Sequence, residues 1–481
     1  MATVRKALFW SFAERYASMI VGMAGSMVLA RLLKPHEVGI YSLCATLTTV
    51  ATIVRDFGIS EYLIQEKNLT KDRLRAAYGL AFLTAWTIGI ILFALRYPAA
   101  AFYQEPQLVS VIGVLCLNFF LLPLATPTFA LLNRELQFRK VFIVQLSSNV
   151  VQQSMAVWLA WKGFSAMSLA WSSVAGIVTT VLILVAMRPG DSWLLPSFKE
   201  AGQVMRFGSM FMGSRIVETL TRNGHEFLLA KQMGFEAVGL FSRAYGMIEL
   251  FQSNVANAIQ RVATPAFAAE HRSGGDMVTS YAQGTAVFTA LAWPFFGFVA
   301  LMAGPVIQLL FGKDWLPAAP VATMLALTCF PSYLVALAPN LLSATGQIRR
   351  RLHVTAVLLP CHLLGVFWAS HYGMVAVAAC WMGTNALGMF LYLRQIRAVL
   401  NAPISDFLRP CLGSAAIAAV SIAAQWSCEL LLAHLGMEWL RLLLTVLVGA
   451  LAWLAAVFLL PTTVGRQIRQ LLLSLRKRQP S

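Results

Sequence analysis

The sequence predicts an all-α integral membrane protein of about 14 transmembrane helices, built as two pseudo-symmetric six-helix bundles with two helices appended at the C-terminal end. Composition is the first reason. Of 481 residues, 58% are hydrophobic and only 12% charged, with a mean hydropathy of +0.70, which is too apolar for a soluble chain of this size. The second reason is the recurrence of apolar runs of roughly 20 residues, the length that crosses a hydrocarbon core. The third is an internal repeat: Leu29-Ala30-Arg31 with Val38-Gly39-Ile40-Tyr41-Ser42 returns 200 positions later as Leu229-Ala230-Lys231 with Val238-Gly239-Leu240-Phe241-Ser242. Arg15 and Arg215 share that offset in the apolar segments just before. Two copies of a multi-helix unit in a membrane chain point to a transporter with its site between the halves.

In chain order the expected spans are 8–30, 38–60, 76–97, 108–132, 140–161, 165–187, 207–230, 236–260, 279–302, 319–344, 352–370, 374–393, 410–433 and 439–460. Glu14 and Arg15 interrupt the first run early, so it reads as a retained helix and not a signal peptide. Gly and Pro occur freely inside the spans (Pro123, Pro127, Pro294, Pro331, Pro339), as membrane helices tolerate. The spans divide the chain into an N-terminal bundle (1–187), a cytoplasmic interfacial linker (188–206), a C-terminal bundle (207–400) and a last pair of spans with a basic tail (401–481). In the linker, Trp193, Leu194, Leu195 and Phe198 alternate with polar residues, as in a segment lying along a membrane surface.

Orientation follows from Lys and Arg, which accumulate in cytoplasmic loops. With the N-terminus inside, inner segments hold 25 of them, among them Arg349, Arg350, Arg351, Arg394 and Arg397, whereas outer loops hold 7: Arg31, Lys34, Arg96, Lys162, Lys231, Lys313 and Arg441. Both termini are therefore expected in the cytoplasm. Six spans separate the two copies of the repeat, so the copies enter the membrane in the same direction. The formal charge of +17 does not indicate nucleic acid, because the basic residues are scattered between apolar spans. The seven cysteines show no paired spacing and sit in apolar stretches, which fits neither a disulfide framework nor a metal site.

A charge inside a span costs about 2.5–3.5 kcal/mol on insertion scales, so it faces a cavity or a partner. Five arginines are of this kind, Arg15, Arg55, Arg215, Arg222 and Arg243, together with the acids Glu14, Asp56, Glu218, Glu226 and Glu249. All lie on the first two spans of each bundle. Arg15 shares a helix face with Ser18, Gly22, Ser26 and Ala30, and Arg55 stands on the side of Thr48 and Thr52. Arg215, Glu218, Arg222 and Glu226 follow at i+3 and i+4 as one stripe. The stripe has two readings: a substrate-binding surface, or intrahelical pairs of Arg222 with Glu218 and Glu226. Arg15, Arg55 and Arg215 also lie near enough to the cytoplasmic end to snorkel. Arginine suits phosphate through its planar, permanently charged fork, so a cation-lined cavity with apolar outer walls fits a diphosphate head on a lipid tail. No GxxxxGK[ST], HExxH or GxSxG occurs, and no catalytic, metal or cofactor site is expected.

These residues carry a resemblance. Ala30-Arg31-Leu32-Leu33 with Pro35 to Ser42, Asp56-Phe57-Gly58, Leu63-Ile64-Gln65, Asn133-Arg134-Glu135-Leu136 with Phe138-Arg139-Lys140, Arg222-Asn223, and Gly239 to Tyr245 resemble the Wzx-type polysaccharide transporters, nearest the long WzxC-like members, of the multidrug/oligosaccharidyl-lipid/polysaccharide exporter superfamily. The resemblance covers the first eight spans and only the hydropathy of the last third. It implies a flippase that moves undecaprenyl-diphosphate-linked oligosaccharide from the cytoplasmic to the periplasmic leaflet of a bacterial inner membrane by alternating access, alongside other polysaccharide assembly proteins. Where the family pattern places an acid at the third position after the arginine of Arg222-Asn223, this chain has His225, with Glu226 beside it. His225, Glu226, Asp56, Glu218 and Glu249 are thus candidates for ion coupling or ion pairing, and Arg15, Arg55, Arg215, Arg222 and Arg243 for substrate. A multidrug antiporter of the same fold would favour a net acidic cavity, and a membrane polymerase or ligase would need larger outer loops.

Overall fold

The computed structural model describes residues 2–56, 58–66, 69–188, 197, 216, 219–432, 437–462 and 464–466, which are helical with no strand among them. The interfacial linker apart from Arg188 and Ser197, the tail after Arg466, Arg215 and Glu218 lie outside the described residues. The chain forms two compact units divided at Gly239–Leu240.

The first unit holds α1 (Ala2–Leu32), α2 (Pro35–Asp56), the short α3 (Ile59–Gln65), α4 (Lys71–Tyr103), α5 (Gln107–Arg134), α6 (Phe138–Trp161), α7 (Ala166–Met187), α8 (His225–Gln232) and the start of α9 (Gly234–Phe251). The Thr70 hydroxyl caps α4 by accepting from the Arg73 amide, and left-handed Gln104 ends that helix. α1 packs on α6, α6 on α7, and α5 on both α4 and α7. Buried polar pairs join these helices: Asn118 Nδ2 donates to Ser173 Oγ (3.0 Å), Ser148 Oγ to the Gly176 carbonyl (2.7 Å), and the Tyr78 and Thr128 hydroxyls share a bond of 2.7 Å. Such bonds hold helices together where the hydrophobic effect favours no particular contact, because lipid is as apolar as leucine. α3 buries Ile59, Tyr62 and Leu63 against Ala77, Leu80, Ala81 and Ala130 of α4 and α5.

The second unit contains the rest of α9, a π turn (Gln252–Ala256), α10 (Asn257–Ser273), α11 (Met277–Phe311), α12 (Ala319–Tyr333), α13 (Ala338–Ala344), α14 (Ile348–Ala369), α15 (Met374–Leu400), α16 (Ile404–Leu432) and α17 (Glu438–Leu459). α11 is its axis, with α12, α16 and α17 packed around it. Ala286 and Ala290 present a flat surface to Ile417, Ala456 and Val457, and two bonds fix the register. Ser414 Oγ donates to the Ala286 carbonyl (2.7 Å), and Trp453 Nε1 to that of Ala290 (2.8 Å). The two appended helices therefore belong to this unit's core.

Among the described residues ten helices are long and apolar enough to cross a bilayer, counting Lys313–Ala344 as one. α1, α6 and the helices over 219–273 lie in the described parts of the other expected spans. Two expected spans differ in shape. That over 319–344 breaks at 334–337, where Pro339, which has no N–H to continue the first helix, starts α13 instead. That over 236–260 runs on to Ser273 through the π turn, whose Gln252 Oε1 accepts a 2.9 Å bond from the Tyr333 hydroxyl.

Candidate functional site

The first unit holds a buried carboxylate. Glu226, in the first turn of α8, is 9% exposed, and each of its oxygens takes a hydroxyl from α2: Ser42 Oγ donates to Oε1 at 3.0 Å and Thr46 Oγ1 to Oε2 at 2.7 Å. Ser42 and Thr46 are one helical turn apart, so a single face of α2 supplies both. Each oxygen thus accepts from a neutral donor. His225, beside it, is almost fully buried, and Arg222 is half-buried.

The approach of α2 to α8 and α9 depends on two glycines of the repeat. A Cβ on Gly39 would stand 1.8 Å from the Phe235 carbonyl oxygen, and one on Gly239 would stand 1.9 Å from that of Pro35. No L side chain fits at either position. α4 secures the other side of α8, with the Tyr103 hydroxyl reaching the Phe227 carbonyl (3.5 Å) and Lys231 lying over the Phe102 ring (4.4 Å).

At the far end of α2, Arg55 is 6% exposed. Its guanidinium donates to Thr126 Oγ1 of α5 (3.0 Å), and its own carbonyl accepts from Thr84 Oγ1 of α4 (2.8 Å). The buried Nε has no hydrogen-bond partner among the described residues. Asp56 accepts from Ser60 Oγ at 2.9 Å. The hydroxyls of Thr48 and Thr52, expected on the side of Arg55, turn back to carbonyls of their own helix. Arg15 is half-buried on α1, where Asn149 of α6 donates to the Ser18 carbonyl (3.1 Å) one turn away.

Arg243 and Glu249 lie in the second unit. The Arg243 guanidinium stands 5.4 Å from the Phe311 ring and 5.2 Å from the Trp315 ring, within cation–π range of both. A polar locus that sequence reasoning missed surrounds the π turn: Tyr333 with Gln252, and Asn340 Nδ2 donating to the Gln260 carbonyl (3.1 Å) and Thr264 Oγ1 (2.8 Å). All are uncharged, so the cost of charge in a span could not expose them. Of the ten expected site residues, the structure brings Glu226 into a built site, buries Arg55 separately, and leaves Arg215 and Glu218 outside the described residues.

The fold is that of a helical, multi-pass membrane protein, and the sequence carries a duplicated helix unit. The chain belongs to the polysaccharide biosynthesis protein family, whose model matches residues 28–320. It is 25% identical over 443 residues to the teichuronic acid biosynthesis protein TuaB of Bacillus subtilis, covering 88% of this chain and 89% of that protein. It is 23% identical over 327 residues to the lipopolysaccharide biosynthesis protein WzxC of Escherichia coli, covering 66% and 65%. Among solved structures, the lipid II flippase MurJ in an inward closed conformation superposes with a TM-score of 0.74 at 12% identity, over 94% of this chain and 98% of that one.

Proposed function

We propose that this protein is a flippase that moves undecaprenyl-diphosphate-linked oligosaccharide units across the bacterial inner membrane, by alternating access, for exopolysaccharide or lipopolysaccharide assembly. Both termini lie in the cytoplasm in this reading, and other polysaccharide assembly proteins act on the delivered units. The observation that carries it is Glu226 with Ser42 and Thr46: an ionisable group taken out of water at considerable cost, inside a duplicated transporter scaffold of the polysaccharide biosynthesis family. The acid reads as the coupling group. Gaining or losing a proton or small cation there changes what α2 and α8 can offer each other, and so biases a conformational equilibrium. The arginines Arg15, Arg55, Arg215, Arg222 and Arg243 remain the groups suited to the diphosphate. An apolar groove in the second unit, about 340 Å³ and lined by Leu291, Phe295, Phe298, Val446 and Trp453, offers the lipid tail a surface.

The test is complementation. A strain lacking the gene should accumulate lipid-linked oligosaccharide on the cytoplasmic leaflet, and the wild-type gene should clear it. Glu226→Gln keeps the shape but cannot ionise, with one hydroxyl still donating to the amide oxygen and the other turned to accept from the amide NH2, so it should express normally and leave the accumulation in place. Clearance by Glu226→Gln at the wild-type rate would remove the coupling role, and absence of accumulation in the deletion strain would remove the flippase reading itself.

A further inference from the structure

We propose that the end of the second unit formed by the last turns of α15 and the connection to α16 is a binding site for the headgroup of an anionic membrane phospholipid, distinct from the transported cargo. A cavity of about 560 Å³ opens there, lined by Arg394, Arg397, Ala398, Asn401, Ala402 and Pro403. Both arginines are exposed, and among the described residues no carboxylate pairs with either. The surroundings add positive charge. Arg350 of the neighbouring α14 donates to Gln395 Oε1 (3.3 Å), which brings the run Arg349-Arg350-Arg351 to the same end of the helix pair, and Arg409 follows on α16. The acid of this region is Asp406, already bonded to the Ser405 hydroxyl.

Placement separates a lipid site from a plain topology signal. Phe390, Arg394, Arg397 and Asn401 recur at i, i+4, i+7 and i+11, so they share one face of α15. Phe390 is 62% exposed, and the open positions Ala386 and Gly383 continue that face toward the other end of the helix. Twenty residues separate Met374 from Arg394, which is about 30 Å of helix and about the thickness of the hydrocarbon core. An acyl chain lying along Gly383, Ala386 and Phe390 would therefore bring its phosphate level with the guanidinium groups. Each planar fork can donate to two phosphate oxygens at once, so a phosphodiester headgroup suits them. Asn401, in a left-handed conformation, turns the chain so that Ala402 and Pro403 wall the cavity without placing a side-chain acid in it.

The full-length protein, purified in a neutral detergent, would be titrated with phosphatidylglycerol, with phosphatidylcholine and with inorganic phosphate, following retained lipid by native mass spectrometry and unfolding by thermal melt. Phosphatidylglycerol should be retained and raise the melting temperature, whereas phosphatidylcholine and phosphate should do neither. The variant Arg394→Gln/Arg397→Gln should bind phosphatidylglycerol at least fivefold more weakly. The control Lys162→Gln/Lys313→Gln, which removes the same charge from exposed sites elsewhere, should bind as wild type. If the double glutamine variant fails to fold, Arg397→Gln alone carries the comparison. Equal loss in test and control variants would reduce the effect to net charge and overturn the site, as would unchanged binding in both. Displacement of the lipid by millimolar phosphate would assign the cavity to free anions instead.

Discussion

At the scale of single residues, Glu226 depends on two donors, and the stronger is Thr46. Thr46→Val keeps the shape and leaves one buried carboxylate oxygen without its bond, which should cost about 1–3 kcal/mol. A thermal melt of purified protein should record that loss, and Thr46→Ser should recover most of it; a valine variant that melts like wild type would mean Glu226 is held by something else. A second residue-scale prediction concerns Glu135, which joins the end of α5 to the end of α7 through Arg188. The Arg188 guanidinium holds its carboxyl below the usual carboxylate range. A depressed value means that the contribution is complete above that range and is lost only as pH falls through the lowered value. The gap in melting temperature between wild type and Glu135→Gln should be constant at neutral pH and close under acid conditions. Exposure of the pair limits it to under about 1 kcal/mol. Glu226 and Arg55 were legible in the sequence because a charge in an apolar span is expensive. Ser42, Thr46, Thr84 and Thr126 were not, since a hydroxyl can return its proton to its own helix, as Thr48 and Thr52 do.

At the scale of helices, ten of the spans that hydropathy predicts are helices long and apolar enough to cross a bilayer among the described residues, because roughly 20 apolar residues in a row have few other uses. It did not reveal the π turn or the break after Tyr333. The π turn accompanies a side-chain bond between residues 81 positions apart, Tyr333 to Gln252, and no local periodicity encodes such a bond. The crossing of α2 with α9 was half legible: Gly39 and Gly239 stood out as repeat positions, but not as each other's neighbours. A methyl group on Gly39 would meet backbone, which has no rotamer to yield, so Gly39→Ala must push the helices apart. We expect a loss of about 1–3 kcal/mol by thermal melt, accompanied by loss of transport in the complementation assay. Gly22→Ala on α1, with nothing within 4 Å of the new methyl, is the control and should be silent.

For the whole molecule, the positive-inside split of 25 to 7 predicts the topology. Reporter fusions after Arg351 should read as cytoplasmic and fusions after Lys313 as periplasmic, and a cytoplasmic signal at Lys313 would overturn the fourteen-span arrangement. The duplication was legible as eight matched positions, and the structure adds what it implies physically. Gly39 faces the carbonyl of Phe235 while Gly239 faces that of Pro35, so each residue touches the counterpart of the one that touches it. That is the signature of an isologous interface, the kind two identical subunits make across a two-fold axis. A chain of half this length, paired with a copy of itself, would already have possessed the contact, and joining the genes would have turned a dimer interface into an internal one. The two copies are not identical: they differ at Arg31 and Lys231 and at Tyr41 and Phe241. The glycines had no such freedom: a side chain at either one closes the same gap from opposite sides, so a substitution in one copy cannot be repaired by the other.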